Sequence, residues 1–207
     1  ENLVEAINDQ SLNLDEDQLQ QMLESDEVKE NLIAQTNVEE GDAFVVSVPT
    51  PLEEPQKSPD LSAVEAAIES IIPHLNGGEV VNIESTIPPL TVDEVVAPRL
   101  EEVGFVPGED VFLAHSPERI LPGNVFDEIV NNDRVIGAMT SEGAEAAGRI
   151  YEPFLEGDIH FTSVLSAELC KLMENTYRDI NIAIANEFAL IGDELNIDMT
   201  EVIELAN

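Results

Sequence analysis

The sequence GGEVVNIESTIPP occupies residues 77–89. Two glycines precede a mostly apolar run at 79–83, which ends at Glu84-Ser85-Thr86 before two prolines. A short apolar run bounded by turn residues is typical of a buried strand, and proline does not continue a central strand. The stretch therefore predicts a strand whose carboxyl end carries two neighbouring hydroxyl groups.

Strands and helices alternate on both sides of this stretch. Further strand-like runs lie at 43–48, 111–114, 134–138 and 159–161. Helical patterns begin near Ser62 and Thr91 and cover about 141–155, and Ser62 with Glu65 and Thr91 with Glu94 have the spacing of capping boxes. This alternation predicts an α/β fold, a Rossmann-like parallel sheet with helices on both faces.

From residue 166 onward the strand-like runs stop. One long helical pattern covers 166–195, and a short helix follows from about Met199. Asp198 and Glu201 have the positions of capping residues for this second helix. The architecture is therefore expected to change near residue 166.

On the long helix, Lys171, Asn175 and Arg178 share one stripe, within about 60° of one another when ~100° are taken per residue. One interpretation of such a polar stripe is a face exposed to water. The same stripe continues as the apolar residues Ile182 and Ala185, so we predict that another element or another subunit covers it. The three polar groups are then expected to open into a cleft.

Acidic residues dominate the charge of the chain. It has 44 Asp and Glu against 8 Lys and Arg, a formal net charge of −36, while 43% of its residues are hydrophobic. That hydrophobic content supports a folded core, and the carboxylates are spread along the sequence, so the charge belongs to the surface. We predict a halophilic protein that needs salt to fold, because molar salt shortens the Debye length to ~3 Å. We expect neither nucleic acid nor membrane as a partner, since anionic polymers and surfaces bind basic patches.

Three of the few cations, Arg119, Lys171 and Arg178, lie in motif-like stretches beside apolar segments. Guanidinium groups suit bidentate contact with phosphate or carboxylate, so these cations indicate an anion site. Glu118 directly precedes Arg119, and a surface ion pair is the alternative interpretation of these two residues.

Thr86 and Thr50 follow two predicted strands. The carboxyl ends of strands are where open α/β sheets place ligand contacts. The alternative is that each threonine only turns the chain beside its neighbouring prolines. Two hydroxyls at neighbouring strand ends favour a shared ligand.

The remaining reactive side chains point to structural roles. Cys170 is the single cysteine, which excludes a disulfide framework within the chain, and it is expected to pack as a small apolar residue. We expect His115 and His160 to be structural, because no spacing of His, Asp and Glu predicts a metal site. No apolar run approaches the ~20 residues of a transmembrane helix, and a cytoplasmic location is expected.

Five stretches, taken in their order and spacing, resemble one family. They are VPTP (48–51), EST (84–86), SPERILPG (116–123), DRVIG (133–137) and KLMENTYRDINIA (171–183). Together they resemble the UDP-sugar 6-dehydrogenases of the UDP-glucose/GDP-mannose dehydrogenase family, from about residue 41 to the end of the chain.

The resemblance implies a division into domains. Residues 1–165 are expected to form a partial NAD-binding domain, and 166–207 the start of a central helical dimerisation domain, with a homodimer formed through the helix near 166–195. No G-x-G-x-x-G occurs, so the first βαβ unit with its phosphate-binding turn is expected to be missing. The family's C-terminal UDP-binding domain and cysteine nucleophile are also expected to be absent, and the chain alone to be inactive.

The resemblance further implies two NAD-dependent oxidations at C6 of a UDP-sugar, from alcohol to aldehyde to carboxylate, through a thiohemiacetal and a thioester on a cysteine. NAD is the implied cofactor, contacted by Val48, Thr50, Pro51, Ser85 and Thr86. The implied catalytic residues are Thr86 near the reacting centre, Glu118 as acid/base or water-positioning group, Lys171 as oxyanion stabiliser, and Asn175. The implied substrate-binding residues are Arg119, Ile120, Lys171, Asn175 and Arg178.

Arg119 stands where UDP-glucose dehydrogenases carry an aromatic residue, and Arg178 lies on the long helix. By the resemblance, these arginines imply an N-acetylated substrate, UDP-N-acetyl-D-mannosamine, oxidised to its uronate for surface polysaccharide or glycan synthesis. UDP-glucose is the alternative substrate. The alternatives from other classes are a non-catalytic helical dimerisation module and a β-hydroxyacid dehydrogenase. The first is disfavoured by the presence of Thr86, Glu118, Lys171 and Asn175, and the second does not predict the segment 116–119.

Overall fold

The computed structural model of the protein describes residues 2–14, 16–53, 55, 57–120 and 123–206. The strands are β1 (Ala43–Val46), β2 (Leu52–Glu53), β3 (Ser58–Pro59), β4 (Val80–Ile83), β5 (Phe112–His115), β6 (Arg134–Ala138) and β7 (Ile159–Ser163). The helices are α1 (Asn2–Asn8), α2 (Asp17–Leu23), α3 (Asp26–Asn31), α4 (Ser62–Ile71), α5 (Ala97–Glu102), α6 (Val125–Asn131), α7 (Ser141–Tyr151), α8 (Val164–Leu195) and α9 (Met199–Ala206). A 3₁₀ turn follows α4 at Ile72–His74, and a π-helical turn, Val92–Val96, precedes α5.

Five strands form one sheet in the order β1-β4-β5-β6-β7, and β2 pairs with β3 in a separate antiparallel ribbon. The pairs β1–β4, β4–β5 and β6–β7 are parallel, as the alternation of strands and helices predicts. The pair β5–β6 is antiparallel, which departs from a fully parallel sheet. The connection from β5 to β6 reverses the chain, so the last two residues of β6, Gly137 and Ala138, lie opposite His115 and Ala114 at the carboxyl end of β5.

Helices cover both faces of the sheet, which confirms the predicted Rossmann-like class. Side chains alternate between the two faces along β4. Val81 packs in one buried cluster with Ile68 of α4, whereas Val80 packs in a second cluster with Ala147 of α7. The carboxyl ends of β1, β4 and β5 thus emerge from a core that is closed on both sides.

Both predicted capping boxes are wrong. Ser62 is the first residue of α4, and its backbone N–H donates to Oδ1 of Asp60 at 2.9 Å. The hydroxyl of Thr91 donates to the carbonyl of Pro88 at 2.7 Å and caps no helical N–H. The backbone N–H groups at the two helix starts donate to other carboxylates, those of Asp60 and Glu168. The spacing of Ser or Thr with Glu therefore does not indicate a capping box here.

The chain divides into two compact units, residues 1–169 and 170–207. The first unit contains the sheet and both buried clusters. The division of function predicted at residues 165 and 166 stays a prediction.

The second unit consists of the larger part of α8 together with α9. α8 begins at Val164, two residues before the predicted start, and continues without a break to Leu195. Oδ1 of Asp198 accepts the backbone N–H of Thr200 at 2.9 Å, which confirms the predicted cap of α9. Many large apolar side chains of this unit are solvent-exposed, and Met173 at 77% and Leu205 at 81% are examples. No helix among the described residues is both long enough and apolar enough to cross a membrane.

Candidate functional site

The loops that follow β1 and β4 are joined by three hydrogen bonds. The backbone N–H of Val48 donates to Oγ of Ser85 at 2.7 Å, and the same hydroxyl donates to the carbonyl of Val48 at 2.8 Å. The hydroxyl of Thr50 donates to the carbonyl of Thr86 at 2.7 Å. These strands are neighbours in parallel register, with Val46 opposite Ile83. The structure therefore brings together four of the five residues expected to contact the cofactor.

Ser85 and Thr86 are placed differently within this edge. Ser85 is buried, at 7% exposure, and its hydroxyl is already engaged with the Val48 backbone. Thr86 is only half-buried, and Pro51, the fifth expected cofactor residue, is exposed on the neighbouring loop. Ser85 thus holds the two loops together, while Val48, Thr50 and Thr86 are half-buried and Pro51 is exposed.

The loop after β5 carries the Glu118-Arg119-Ile120 segment. The carboxylate of Glu118 accepts the backbone N–H of Ile120, and a guanidinium nitrogen of Arg119 donates to the carbonyl of Asp133 at 3.4 Å. The three side chains are half-buried. Leu121 and Pro122 of the same motif lie outside the described residues. The segment is anchored by its own turn and by the start of β6.

A buried polar network lies next to Ser85, and the sequence analysis missed it. Oε1 of Glu84 accepts the hydroxyl of Tyr151 at 2.7 Å and pairs with Arg134 at 2.9 Å. The guanidinium carbon of Arg134 lies 4.0 Å from the centre of the Tyr151 ring, and Asn82 donates to the Tyr151 hydroxyl. Burial, followed by the charge of Glu84, raises the pKa of Tyr151. Asn82 within an otherwise apolar strand was the available signal.

His115 and His160 lie in different surroundings, and the structural roles expected of them stay predictions. His115 ends β5 and is fully buried, and burial lowers its pKa to about 4 against a smaller opposing effect of the Ile83 backbone. His160 is exposed on β7, where Nε2 lies 3.0 Å from Oδ2 of Asp133. Among the described residues, no group of three or more His, Cys, Asp and Glu side chains has the geometry to hold a metal.

Glu168 is a second residue that the sequence analysis missed. Its carboxylate accepts the backbone N–H groups of Leu90 at 2.7 Å and of Val92 at 3.0 Å, and the residue is fully buried. Burial raises the pKa of this carboxyl, although the backbone N–H groups oppose the rise. Glu168 continues the stripe of Lys171 and Asn175 by one helical turn, which was the signal in the sequence.

Within α8, the polar stripe is less exposed than the apolar residues around it. Lys171 is 7% exposed, and Asn175 and Arg178 are half-buried, whereas Met173 and Tyr177 are 77% and 72% exposed. The interpretation of the stripe as a face open to water is therefore wrong at Lys171. The roles expected for the three polar residues remain predictions.

The comparisons with known proteins agree with these motifs. Residues 1–155 match the NAD binding domain of the UDP-glucose/GDP-mannose dehydrogenase family, and residues 165–207 match its central domain. A UDP-N-acetyl-D-mannosamine dehydrogenase of Methanocaldococcus jannaschii is 48% identical over 86% of this chain and 40% of its own length.

Two solved structures are similar over the whole chain. The UDP-N-acetyl-mannosamine dehydrogenase of Staphylococcus aureus has a TM-score of 0.90 at 42% identity, covering 100% of this chain and 50% of its own. The corresponding enzyme of Pyrococcus horikoshii has a TM-score of 0.92 at 38% identity, with the same coverage. This chain spans about half the length of the curated relatives that it matches. With both domain matches in place, the chain belongs to the UDP-glucose/GDP-mannose dehydrogenase family.

Proposed function

We propose that this chain is part of an enzyme that oxidises C6 of UDP-N-acetyl-D-mannosamine to a carboxylate with NAD. The observation that carries the proposal is the pair of joined loops after β1 and β4, with Thr50 bonded to the Thr86 carbonyl. Open α/β sheets bind dinucleotides at this edge of the sheet. The names of the similar enzymes support the choice of sugar.

The residues at this edge fit one flank of NAD. Val48, Thr50, Pro51, Ser85 and Thr86 lie on two loops at the carboxyl ends of neighbouring strands. NAD, when bound, accepts hydride from the carbon that is oxidised. No G-x-G-x-x-G occurs among the 207 residues, so they do not include the turn that grips the pyrophosphate.

The proposed catalytic groups have suitable chemistry. Lys171 is a buried basic side chain in a chain with 8 basic residues, and a fixed cation in a site closed to water stabilises a developing oxyanion. The oxyanion that develops at C6 would be its partner during the reaction, with Asn175 as a neutral donor on the same helix stripe. Glu118 would hold the water that releases the carboxylate product.

Substrate choice is proposed to depend on cations. Arg119 and Ile120 on the loop after β5, with Arg178 on α8, would contact the UDP-sugar, and planar guanidinium groups suit its phosphate and amide oxygens. The product, an acidic amino sugar, would supply surface polysaccharide or glycan synthesis. A nucleotide-sugar substrate is consistent with the cytoplasm as the location.

A second copy of the chain is the proposed partner. The second unit exposes Met173, Tyr177, Phe188, Leu190 and Leu205, each by more than half. Exposed apolar surface of this density marks an interaction surface in most folded proteins. The proposed homodimer would cover it through α8.

NADH formation by the product of the intact reading frame tests the proposal. The assay uses multi-molar KCl and compares UDP-N-acetylmannosamine, UDP-glucose and UDP-N-acetylglucosamine. We expect turnover of the first sugar, reduced about 10²–10³-fold in Lys171→Ala, because an oxyanion donor is lost. Lys29→Ala, on the exposed surface of α3, is the matched control.

The outcomes separate the alternatives. Preference for UDP-glucose would overturn the proposed sugar but would support the proposed NAD-dependent oxidation at C6. The absence of turnover with every UDP-sugar would favour the non-catalytic module or the β-hydroxyacid dehydrogenase.

A further inference from the structure

Glu168 makes an unusual pair of contacts for a carboxylate on a helix. It is fully buried, yet it accepts backbone N–H groups from Leu90 and Val92, residues that precede it by more than 70 positions. A carboxylate that is removed from water is stable only when its oxygens are satisfied by hydrogen bonds. The two distances, 2.7 and 3.0 Å, are those of direct bonds to both oxygens.

The segment that Glu168 holds has an uncommon backbone. Leu90 has a φ of 72°, in the left-handed region that favours glycine. Val92–Val96 then forms a π-helical turn, a rare form that is frequently found at functional sites. Such a backbone persists only where its surroundings enforce it. The hydroxyl of Thr91 is engaged with Pro88, so the N–H groups of Leu90 and Val92 depend on Glu168.

The same segment begins at Thr86. Its first residue is fixed by the hydroxyl of Thr50, and its last residues are fixed by Glu168. Ile87, between these two anchors, is 1% exposed and belongs to the buried cluster under the sheet. The path of residues 86–92 is therefore determined by a hydrogen bond at one end and a buried carboxylate at the other.

We infer that Glu168 is a positioning residue for the NAD-side loop, acting through the backbone of Leu90 and Val92 on the placement of Thr86. The inference rests on the proposed function, which places Thr86 beside the cofactor. A structural cap would satisfy the same two N–H groups, but its loss would lower the fraction of folded enzyme and leave the KM values unchanged. A positioning residue changes the KM for NAD in the molecules that remain folded.

The test uses Glu168→Ala and Glu168→Gln in the product of the intact reading frame. Glu145→Ala, an exposed glutamate on α7, is the control. We expect Glu168→Ala to lower kcat/KM for NAD by about 10²-fold, the scale of an ångström of misplacement. Glu168→Gln retains one acceptor oxygen and should lose about tenfold. The KM for the UDP-sugar should change less than the KM for NAD in both variants, because the Leu90 and Val92 backbone lies on the NAD-side loop.

Amide hydrogen exchange and NAD affinity separate this inference from the proposed function, because neither requires turnover. We expect faster exchange at Leu90 and Val92 and weaker NAD binding in Glu168→Gln. Faster exchange with unchanged NAD affinity would overturn the inference, because Glu168 would then act only as a structural cap. If Glu168→Ala does not fold, Glu168→Gln decides: wild-type exchange and wild-type KM for NAD would also overturn it. A wild-type protein that binds NAD but oxidises no UDP-sugar would contradict the proposed function alone.

Discussion

The two units of the chain treat their apolar and polar groups in opposite ways. In residues 1–169, large apolar side chains form two buried clusters, and the buried hydroxyl of Ser85 and the half-buried carboxylate of Glu84 have hydrogen-bond partners. In residues 170–207, apolar side chains are exposed by as much as 81%, while Lys171 is buried. The first unit therefore has an apolar core of its own, whereas the apolar side chains of the second unit form the kind of surface that binds a partner.

Of the changes proposed here, removal of salt should destabilise the two units most. The net charge of −36 belongs to a chain with 8 cations, so self-repulsion is screened only at high ionic strength. We expect both units to lose most of their helical circular dichroism below about 0.1 M KCl, where the Debye length is ~10 Å. Complete structure without added salt would contradict the halophilic prediction and leave packing alone as the source of stability.

Gly137→Ala should break the packing of the first unit. A Cβ atom at this position would lie 2.5 Å from the Ser163 carbonyl oxygen and 2.6 Å from Cβ of Ala167, so the backbone must shift. We expect a loss of about 3 kcal/mol in the free energy of unfolding, measured by urea titration in constant KCl. Gly41→Ala, where the nearest atom is 3.8 Å away, should change stability little. Equal stability of the two variants would show that β6 and β7 can separate without cost.

Acidification should weaken the first unit through His115. Its pKa is about 4 in the fold and 6.5 in the unfolded chain, so only the unfolded chain takes up a proton between these values. Stability from this group should be complete above pH 6.5 and fall by up to about 3 kcal/mol as the pH drops to 4. Urea titrations of wild type and His115→Leu across this window measure the effect. If the free energy of unfolding of His115→Leu depends on pH as that of the wild type does, the loss of stability comes from the carboxylates instead.

Phe188→Ser should act on the second unit alone. This side chain is 52% exposed on α8, and the proposed homodimer would cover it. We expect the dissociation constant of the dimer to rise about 30-fold, the scale of ~2 kcal/mol for an interface anchor, with unfolding of the first unit unchanged. Sedimentation at several protein concentrations measures the dissociation constant of Phe188→Ser and of the control variant Glu187→Ser. A wild-type monomer at all concentrations would remove the second copy as the partner.

Strands were predictable from sequence because their signals are local. The run at 134–138 was confirmed at both ends, and the run at 43–48 ends at Val46. The antiparallel β5–β6 pair was not predictable, because its direction depends on how residues 116–133 fold. Glu168 was missed for a similar reason, since the N–H groups that it accepts are 76 and 78 residues away in sequence.

The site was predictable only as far as strand order allowed. Thr50 and Ser85-Thr86 were expected at neighbouring strand ends, and β1 and β4 are indeed adjacent. The side-chain roles of Glu118, Lys171 and Asn175 stay predictions. The network of Glu84, Arg134 and Tyr151 joins residues 50 and 67 positions apart, and spacing along a chain contains no information about such contacts.

The two tyrosines provide separate optical reporters. The chain has no tryptophan and two tyrosines, and one lies in each unit. Tyr151 is 3% exposed beside Arg134, whereas Tyr177 is 72% exposed on α8. The second-derivative ultraviolet spectrum of this chain should therefore contain one band of a buried phenol and one of a hydrated phenol. Unfolding of the first unit would shift the Tyr151 band, and burial of α8 would shift the Tyr177 band. The wavelength of each band therefore reports on one event in the unlabelled protein.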